Sequence, residues 1–357
     1  MKNPLISLFS EGNIYFSTFK PLVDSFIAKQ IYITYYTLDS KDEILKIQNE
    51  YLDTKYLGSK FLSYFKFSLI SSDYLISTTP NIGSTGYPYK KPRLVKNLVH
   101  VFHSISDISI YRKGSLDSYD SVILAGEFQK ESIRKLESLR GLKEKELLPL
   151  GVPYFDFLIK KEKKIKNLNK TILIGSSWGD KGCLKSYGIE FINQLATKGY
   201  NIIVRPHPHS IIYEKKFINM CRNELEKIEN ITWDDSISPS KSMNISDILI
   251  SDTSSIRFDF FMIYKKPVIT LEIKNEEMLG YEREFLGINW TDYSSYEIGP
   301  VISKDSISEL GNHISHLINN FNIEKVPNYR NKTIYNYGMA SDCITDHFIK
   351  KYKMEII

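Results

Sequence analysis

The amino-acid sequence predicts an α/β protein with two Rossmann-like domains, each built around a parallel sheet. Short apolar segments typical of buried strands alternate with longer segments typical of helices along most of the chain, which is the pattern of parallel sheets covered by helices on both faces. The chain has 357 residues, which is too long for one ordinary hydrophobic core, so two domains are expected. A Lys-rich segment near the middle separates the two runs of alternation.

The first predicted domain covers residues 1–158. Its strands are short runs rich in β-branched and aromatic residues, and its helices are longer segments with apolar residues every three or four positions. Strands are expected at 5–9, 31–37, 74–77, 98–102 and 121–125, and helices at 16–29 and 59–71. The N-terminal apolar run lacks a small-residue cleavage site, so it is interpreted as a strand rather than a signal peptide.

A Lys-rich linker at 159–170 is predicted to join this domain to a second one at 171–339. Its lysines are interpreted as a solvated face rather than a membrane-binding patch. In the second domain, strands are expected at 171–175, 202–204, 248–250 and 267–271, and helices at 187–198, 213–229 and 255–265. The C-terminal segment 340–357 is predicted to form a helix that could cross back onto the first domain.

The charge and hydropathy of the sequence argue against two classes of protein, nucleic-acid-binding proteins and membrane-spanning proteins. The net charge is +5, from 47 basic and 42 acidic residues, which is too small an excess to indicate nucleic-acid binding. It is compatible with a weak attraction to an anionic membrane surface. No segment approaches the roughly 20 apolar residues of a spanning helix. We therefore expect a cytoplasmic protein, or one held peripherally on the inner face of the cell membrane.

No metal site is predicted. Cys183, Cys221 and Cys343 lie far apart without metal-ligand spacing and are expected to be free thiols in a reducing compartment. His313 and His316 lie three positions apart on an expected helix but have no evident third ligand, so they are interpreted as surface residues.

The first motif that carries chemistry is Arg-Pro-His-Pro-His at 205–209, directly after the expected strand 202–204. The two prolines stiffen the backbone and favour an extended conformation in the residue before each. Arg205 is expected to hold a phosphate through two hydrogen bonds, and His207 to donate to an oxygen that gains charge in a transition state. The alternative is a rigid strand exit with solvent-facing histidines.

The second motif is Ser-Asp-Thr-Ser-Ser at 251–255, which ends a strand and opens a helix. The first N–H groups of a helix lack internal partners, and the helix dipole favours negative charge there. A phosphate cradle is therefore predicted from the following residues: Asp252, Thr253, Ser254 and Ser255. The alternative is ordinary capping, because the same residue types are the favoured N-caps of any helix.

A third segment, Gly-Ser-Ser-Trp-Gly at 175–179, follows the first strand of the second domain. Ser177 and Trp178 are candidates to contact a nucleotide. The segment does not fit the GxGxxG fingerprint and no P-loop is present, so a nicotinamide site is rejected. Because the carboxyl ends of parallel strands open into one crevice, the three motifs together predict a site for a phosphorylated ligand.

The first domain offers a candidate base, His103, which lies just past the expected strand 98–102. A neutral histidine there could accept the proton of an acceptor hydroxyl, with Asp107 as a candidate to orient it. The alternative is a surface histidine. Three further residues are assigned to this acceptor side: Glu11, Asn13 and Ser104.

Together these residues resemble the CDP-glycerol glycerophosphotransferase family, the teichoic-acid-type transferases with a GT-B fold. The resemblance covers roughly residues 98–271. It rests on these segments: His103, 150–156, 205–208, 246–255, 258–260 and 266–268. It implies a GT-B fold, in which two Rossmann-like domains face a central cleft.

The resemblance also implies a reaction. An acceptor hydroxyl, activated by His103, would attack the β-phosphorus of CDP-glycerol or a related CDP-alditol and displace CMP. Arg205 and His207 would stabilise the donor diphosphate, and the hydroxyls of 253–255 would bind it. The implied partners are a nucleotide-activated donor and a lipid-linked or other glycan acceptor, with no separate cofactor.

Two positions depart from the family pattern and leave the donor and acceptor open. Ser104 stands where the family commonly has Gly, and Gly179 stands where it commonly has a basic residue. One alternative function is a GT-B glycosyltransferase that uses a nucleotide sugar for capsule or lipopolysaccharide synthesis. Another is a non-catalytic, transferase-like scaffold. All three would share the donor site, so the motifs separate them poorly.

Overall fold

The computed structural model describes residues 5–163, 165, 170–273, 280–287 and 290–356. The chain divides into two compact units. Unit 1 holds the described residues of Met1–Lys160, Met278–Asn289 and Asn331–Ile357, and unit 2 holds those of Lys161–Glu277 and Trp290–Arg330. Of the predicted Lys-rich linker, residues 164 and 166–169 lie outside the described residues.

Unit 1 is built on a parallel sheet. Its described strands are β1 (Ile6–Ser10), β2 (Ile33–Thr37), β3 (Leu52–Tyr56), β4 (Ser71–Ser77), β5 (Leu94–Val101), β6 (Ser121–Ile123) and β7 (Glu146–Leu148). They pair in the order β3-β2-β1-β4-β5-β6-β7, and every pair is parallel. The strand order reverses between β1 and β4, which makes this the topological switch point of the sheet.

Unit 2 repeats this plan. Its described strands are β8 (Thr171–Gly175), β9 (Asn201–Arg205), β10 (Ile231–Trp233), β11 (Ile248–Ser251), β12 (Val268–Leu271) and β13 (Val301–Ile302). They pair in parallel in the order β10-β9-β8-β11-β12-β13. This is the strand order of a dinucleotide-binding Rossmann sheet, with its switch point between β8 and β11.

Helices connect the strands in both units. Those of the described chain are α1 (Phe16–Ala28), α2 (Lys60–Ser68), α3 (Phe128–Arg140), α4 (Pro153–Lys161), α5 (Cys183–Ser186), α6 (Glu190–Thr197), α7 (Pro208–Tyr213), α8 (Lys215–Leu225), α9 (Ser240–Ile245), α10 (Ile256–Met262), α11 (Arg283–Leu286), α12 (Trp290–Ile298), α13 (Leu310–Asn320), α14 (Lys325–Thr333) and α15 (Ala340–Ile356). None of them, over the described residues, is both long enough and apolar enough to cross a membrane.

The central strands are buried on both faces. Every residue of β1, β8 and β11 is buried, as expected where helices cover both sides of a parallel sheet. In unit 1 the two faces form separate cores, one that includes Phe9 and Phe67 and one that includes Leu8, Phe19 and Phe26. Each fully buried phenylalanine stabilises the fold by about 1.5–3 kcal/mol through burial alone.

The C-terminal helix α15 packs on unit 1. Asp156 of α4 accepts hydrogen bonds from the backbone N–H groups of Ala340, at 3.3 Å, and Ser341, at 2.7 Å, and so caps the start of α15. Further along, Lys29 of α1 forms an ion pair with Asp346 at 2.7 Å. These contacts hold the end of the chain against α1 and the loop after β7.

Two segments that the sequence placed in the second domain belong to unit 1 in the structure, namely 280–287 and 331–339. Glu282 forms an ion pair with Arg140 of α3, and the N–H of Tyr335 donates to the carbonyl of Ala125 at 2.9 Å. Such contacts join residues far apart in the chain, so no local pattern predicts them.

Candidate functional site

The carboxyl edge of the unit 2 sheet brings three predicted segments together. The loops after β8, β9 and β11 start at this edge, on either side of the switch point. Ligands of open α/β sheets bind in the crevice outside this edge. Ser177, His207 and the 253–255 segment therefore lie where a ligand of unit 2 is expected.

Asp252 is held inside unit 2 by several hydrogen bonds. It is fully buried, and its carboxylate accepts hydrogen bonds from the N–H and hydroxyl of Ser177, at 2.8 and 2.5 Å. It also accepts the N–H groups of Cys183, at 2.7 Å, and Ser254, at 3.0 Å. These contacts support a structural role for Asp252, and its phosphate-binding role stays a prediction. Ser177 is likewise held by this carboxylate.

The three residues after Asp252 keep the predicted character. Thr253, Ser254 and Ser255 are partly exposed, and over the described residues none of their hydroxyls forms a hydrogen bond within the protein. Helix α10 begins directly after them. Three hydroxyl donors are thus grouped at the switch point without a hydrogen-bond partner among the described residues.

Arg257 is a residue of this site that the sequence analysis missed. It is fully buried, and its Nε–H donates to the carbonyl of Ser254 at 3.0 Å. One terminal nitrogen donates to the hydroxyls of Thr270 and Ser295, at 3.0 and 2.6 Å, and the other has no hydrogen-bond partner in the described chain. Burial lowers its pKa to about 10. The sequence feature that could have indicated this residue is a single cation among the apolar residues that begin helix α10.

The Arg205 guanidinium is bound to the loop after β10. It is buried, and one terminal nitrogen pairs with Asp234 at 2.8 Å. The other donates to the carbonyls of Ser236 and Ile237, at 2.8 and 3.1 Å. Arg205 therefore fixes this loop, and its contact with a phosphate stays a prediction.

His207 caps helix α7, and Pro208 occupies the first helical position. Its Nδ1 accepts the backbone N–H of His209 at 3.1 Å. In a neutral imidazole this places the proton on Nε2, so the ring carries a fixed N–H donor. The Nε2–H is thus the group through which His207 would donate, and its role toward a ligand stays a prediction.

An aromatic cluster lies beside His207. The ring of His209 makes edge contacts with Trp178, His207 and Tyr213, at centroid distances of 5.2, 5.1 and 5.7 Å. Trp178 is half exposed, and burial lowers the pKa of His209. The rings pack edge to face, and the half-exposed Trp178 provides an aromatic surface at the edge where the nucleotide contact was predicted.

In unit 1, His103 and Glu11 lie at the carboxyl edge of the other sheet, after β5 and β1. The Tyr15 ring makes an edge contact with the His103 ring at a centroid distance of 5.1 Å. Burial and the nearby Glu11 carboxylate raise the pKa of Tyr15. Tyr87 donates to Glu11 at 2.8 Å. Burial raises the pKa of Glu11. These groups surround the switch point of unit 1.

Two of the other residues assigned to the acceptor side, Asn13 and Asp107, accept hydrogen bonds within unit 1. The side-chain oxygen of Asn13 accepts the N–H of Glu43 at 3.1 Å. Asp107 is buried, and it accepts the N–H of Ser109 at 2.9 Å and the hydroxyl of Ser132 at 3.2 Å. Ser104 is partly exposed. The acceptor-side assignments of these residues stay predictions.

Two buried hydroxyls that the sequence analysis did not single out lie beside this edge. Thr78 and Thr79 follow β4, which lies between β1 and β5 in the sheet. Within the described chain, neither side-chain hydroxyl has a hydrogen-bond partner. Both residues are fully buried, and an unpaired buried hydroxyl costs about 1–3 kcal/mol.

His100 is a core residue rather than part of the reactive surface. It is fully buried on β5, and its Nε2 lies 3.2 Å from the hydroxyl of Tyr111. Burial, with a smaller contribution from His103, lowers its pKa to about 3. His100 therefore stays neutral at physiological pH.

Solved structures with the same fold confirm the predicted GT-B architecture. The wall teichoic acid polymerase TagF, solved with CDPG, matches with a TM-score of 0.63 and 16% identity over 99% of this chain and 90% of that chain. The S. aureus MnaA–UDP structure matches with a TM-score of 0.63 and 16% identity over 100% of this chain and 98% of that chain. WaaG, a glycosyltransferase involved in lipopolysaccharide biosynthesis, matches with a TM-score of 0.54 and 13% identity over 95% of this chain and 99% of that chain.

Sequence comparison identifies the family. No curated protein sequence matches the chain significantly. The family model of the CDP-glycerol:poly(glycerophosphate) glycerophosphotransferases matches residues 103–332, which is more than half of the chain. This match confirms the predicted family and its enzymatic character. The chain therefore belongs to the CDP-glycerol:poly(glycerophosphate) glycerophosphotransferase family.

Proposed function

We propose that this protein transfers glycerol phosphate, or a related alditol phosphate, from a CDP-activated donor to a hydroxyl of a cell-surface glycan precursor, with release of CMP. Family membership supports this chemistry. The observation that carries the site assignment is the group of three hydroxyls at Thr253, Ser254 and Ser255. They lie at the switch point of unit 2 and have no partner within the described chain.

The donor diphosphate is proposed to bind at these hydroxyls. Hydroxyl groups and free backbone N–H groups are common phosphate ligands at the ends of parallel strands. Arg257, whose Nε–H donates to the Ser254 carbonyl, is buried and forms no ion pair in the described chain. The nearby Asp252 carboxylate offsets part of the cost of this buried charge, and a bound phosphate anion would compensate it further.

His207 is proposed to stabilise the charge that develops on the transferred phosphoryl group. Its Nδ1 is occupied by the His209 N–H, so its Nε2–H is the group that donates. Positioned donors of this type supply much of the catalysis in phosphoryl transfer, because the transition state spreads charge over the non-bridging oxygens. Trp178 and its aromatic neighbours are proposed to contact the nucleotide.

His103 is proposed to act as the general base toward the acceptor. It would take the proton of the acceptor hydroxyl while the oxygen forms a bond to the β-phosphorus. The bond from that phosphorus to the CMP oxygen breaks, and CMP leaves with the electron pair. Glu11 and Tyr87, which are hydrogen-bonded at the same sheet edge, are proposed to bind acceptor hydroxyls.

The acceptor is proposed to be lipid-linked, which would bring the enzyme to the inner face of the cell membrane as a peripheral protein. The net charge of +5 supports a weak attraction to anionic lipid.

A glycosyltransferase that uses a nucleotide sugar remains the second candidate, since WaaG has the same fold. The family match favours the first.

Calorimetric binding to the purified protein tests the donor. We expect CDP-glycerol or CDP-ribitol to bind more tightly than UDP-sugars or GDP-sugars, with Ser254→Ala weakening the binding. Thr197→Ala is the matched control, because Thr197 is exposed at the end of α6, away from the switch point. Preference for a uridine or guanosine sugar would contradict the proposal and favour the glycosyltransferase. If no nucleotide bound, the scaffold alternative would gain support.

A further inference from the structure

Helix α2 carries large apolar residues on both its inward and its outward side. Its inward side contributes Phe67, whose ring packs on Phe9 at 4.6 Å and on Tyr89 at 5.2 Å. A helix at the surface of a globular protein normally turns polar residues outward. The outward side of α2 instead carries large apolar residues. We call this surface the α2 face; it consists of Phe61, Leu62, Phe65 and the adjoining Leu69.

The α2 face is contiguous. Phe61, Phe65 and Leu69 follow one another at intervals of four residues, and Leu62 lies on the same side, one turn before Phe65. Phe61 is 81% exposed, and the other three are between 52% and 58% exposed. Single exposed apolar residues are common, but four large ones on one helix face mark an interaction surface.

Positive charge surrounds the α2 face. Between Asp53 and Asp73 the sequence holds three lysines and no acidic residue. Lys60 and Lys66 are exposed and form no ion pair within the described chain. Leu94, which is also exposed, extends the apolar surface, because it pairs with Ser71 just after Leu69. Phenylalanine and leucine side chains can enter the boundary between headgroups and acyl chains, and the flanking lysines, which form no ion pair in the described chain, can attract anionic headgroups.

We propose that the α2 face is a membrane-docking surface that binds anionic lipid. The apolar side chains would enter the boundary between headgroups and acyl chains, and Lys60 and Lys66 would contact lipid phosphates. The charge pattern favours a lipid surface over a second copy of this chain, because two like-charged α2 faces would repel each other. The surface lies outside the Lys-rich linker, where the sequence analysis had considered membrane contact.

A chain of contacts connects the α2 face to the candidate acceptor side of unit 1. On the inward side of the helix, the Ser63 hydroxyl lies 2.9 Å from that of Tyr89, and the Tyr64 ring packs on Tyr89 at 4.9 Å. Tyr89 contacts Tyr87 at 5.8 Å, and Tyr87 donates to Glu11. Helix α2 also starts at the sheet edge that holds Glu11 and His103.

This connection indicates a role for the docking surface in acceptor binding, an inference that rests on the proposed function. Contact of the α2 face with a bilayer would place the carboxyl edge of the unit 1 sheet near the lipid headgroups. A membrane-anchored glycan would then meet Glu11 and His103 without leaving the bilayer. Docking would therefore raise the local concentration of acceptor rather than affect the donor.

Vesicle flotation with the full chain tests the docking surface. We expect the protein to float with vesicles of phosphatidylglycerol and phosphatidylcholine, less with phosphatidylcholine alone, and less again at high salt. The Phe61→Ser, Phe65→Ser double variant should bind at least about tenfold more weakly. Lys60→Gln with Lys66→Gln should lose most of the salt dependence. Leu139→Ser is the matched control, because Leu139 is an exposed apolar residue on α3.

Three results would overturn the proposal. They are a wild-type protein that does not float with the vesicles, a Phe61/Phe65 double variant that floats as well as the wild type, and a Leu139→Ser variant that loses as much vesicle binding as the double variant. A wild-type dimer that the double variant dissociates, without vesicle binding, would assign the face to self-association instead. Circular dichroism checks that each variant is folded. Binding of CDP-glycerol should be unchanged in all of them. If vesicles bound but CDP-glycerol did not, the proposed function would fail while the docking surface stood.

Discussion

The carboxylate of Asp252 accepts both the backbone N–H and the hydroxyl of Ser177, at 2.8 and 2.5 Å, and so joins the loops after β8 and β11. The two residues are 75 positions apart in the chain. The buried carboxylate also holds the N–H of Ser254, which fixes the start of the hydroxyl segment. The geometry of the candidate donor site therefore depends on a buried carboxylate that joins its two loops.

Replacing Asp252 with Ala should lower the free energy of unfolding by about 3 kcal/mol, because it leaves several buried N–H groups without an acceptor. Urea denaturation measures this change. Asp180→Ala is the control, since the Asp180 side chain is 98% exposed, and it should change the unfolding free energy by less than about 0.5 kcal/mol. Equal stability of the two variants would mean that Asp252 does not hold the loops.

Replacing Arg257 with Met should separate donor binding from stability. The change removes a buried charge that lacks an ion pair, so part of the lost hydrogen bonding is offset by a smaller desolvation cost. Affinity for CDP-glycerol should fall by about tenfold or more, since the cation beneath Ser254 is gone. Arg257→Lys should recover part of that affinity. Calorimetry and urea denaturation on both variants test this, and unchanged affinity in Arg257→Met would contradict it.

The fold was largely predictable because the central strands are buried on both faces. Strands such as β8 and β11 are continuous apolar runs between turn signals, and the sequence locates them within a residue. Strands β3, β7, β10 and β13 were missed. They are the outermost strands of the two described sheets, and β3 carries Asp53 and Lys55, so it lacks the apolar pattern of a central strand.

The site was predictable only where function depends on local chemistry. A run of hydroxyl residues after a strand is visible in the sequence, and within the described chain the hydroxyls of Thr253, Ser254 and Ser255 form no hydrogen bond. The internal partners of Arg205 and Asp252 could not be predicted, because they come from distant segments, 29 and 75 residues away. A cation or carboxylate in a motif does not show whether the protein itself already satisfies it.

His103→Ala and His207→Ala should each lower kcat by about 100-fold or more, since the first would remove the proposed base and the second a donor to the transferred phosphoryl group. Release of CMP from CDP-glycerol in the presence of acceptor measures the rate. His316→Ala is the control, because His316 is exposed on α13. Binding of CDP-glycerol should survive in His103→Ala. A variant that retained wild-type turnover would remove its residue from the mechanism.

The buried His100 should make the protein less stable as the pH falls. Its pKa is lowered from 6.5 to about 3, mainly by burial, so between these values the unfolded chain takes up a proton that the folded protein excludes. Above the unfolded pKa both states are neutral and the residue adds no pH dependence. Below it, the free energy of unfolding should fall by up to about 1.4 kcal/mol per pH unit. Urea denaturation at several pH values should show this slope in the wild type and a smaller one in His100→Gln, whose side chain does not titrate. Equal slopes would show that His100 is not the group responsible.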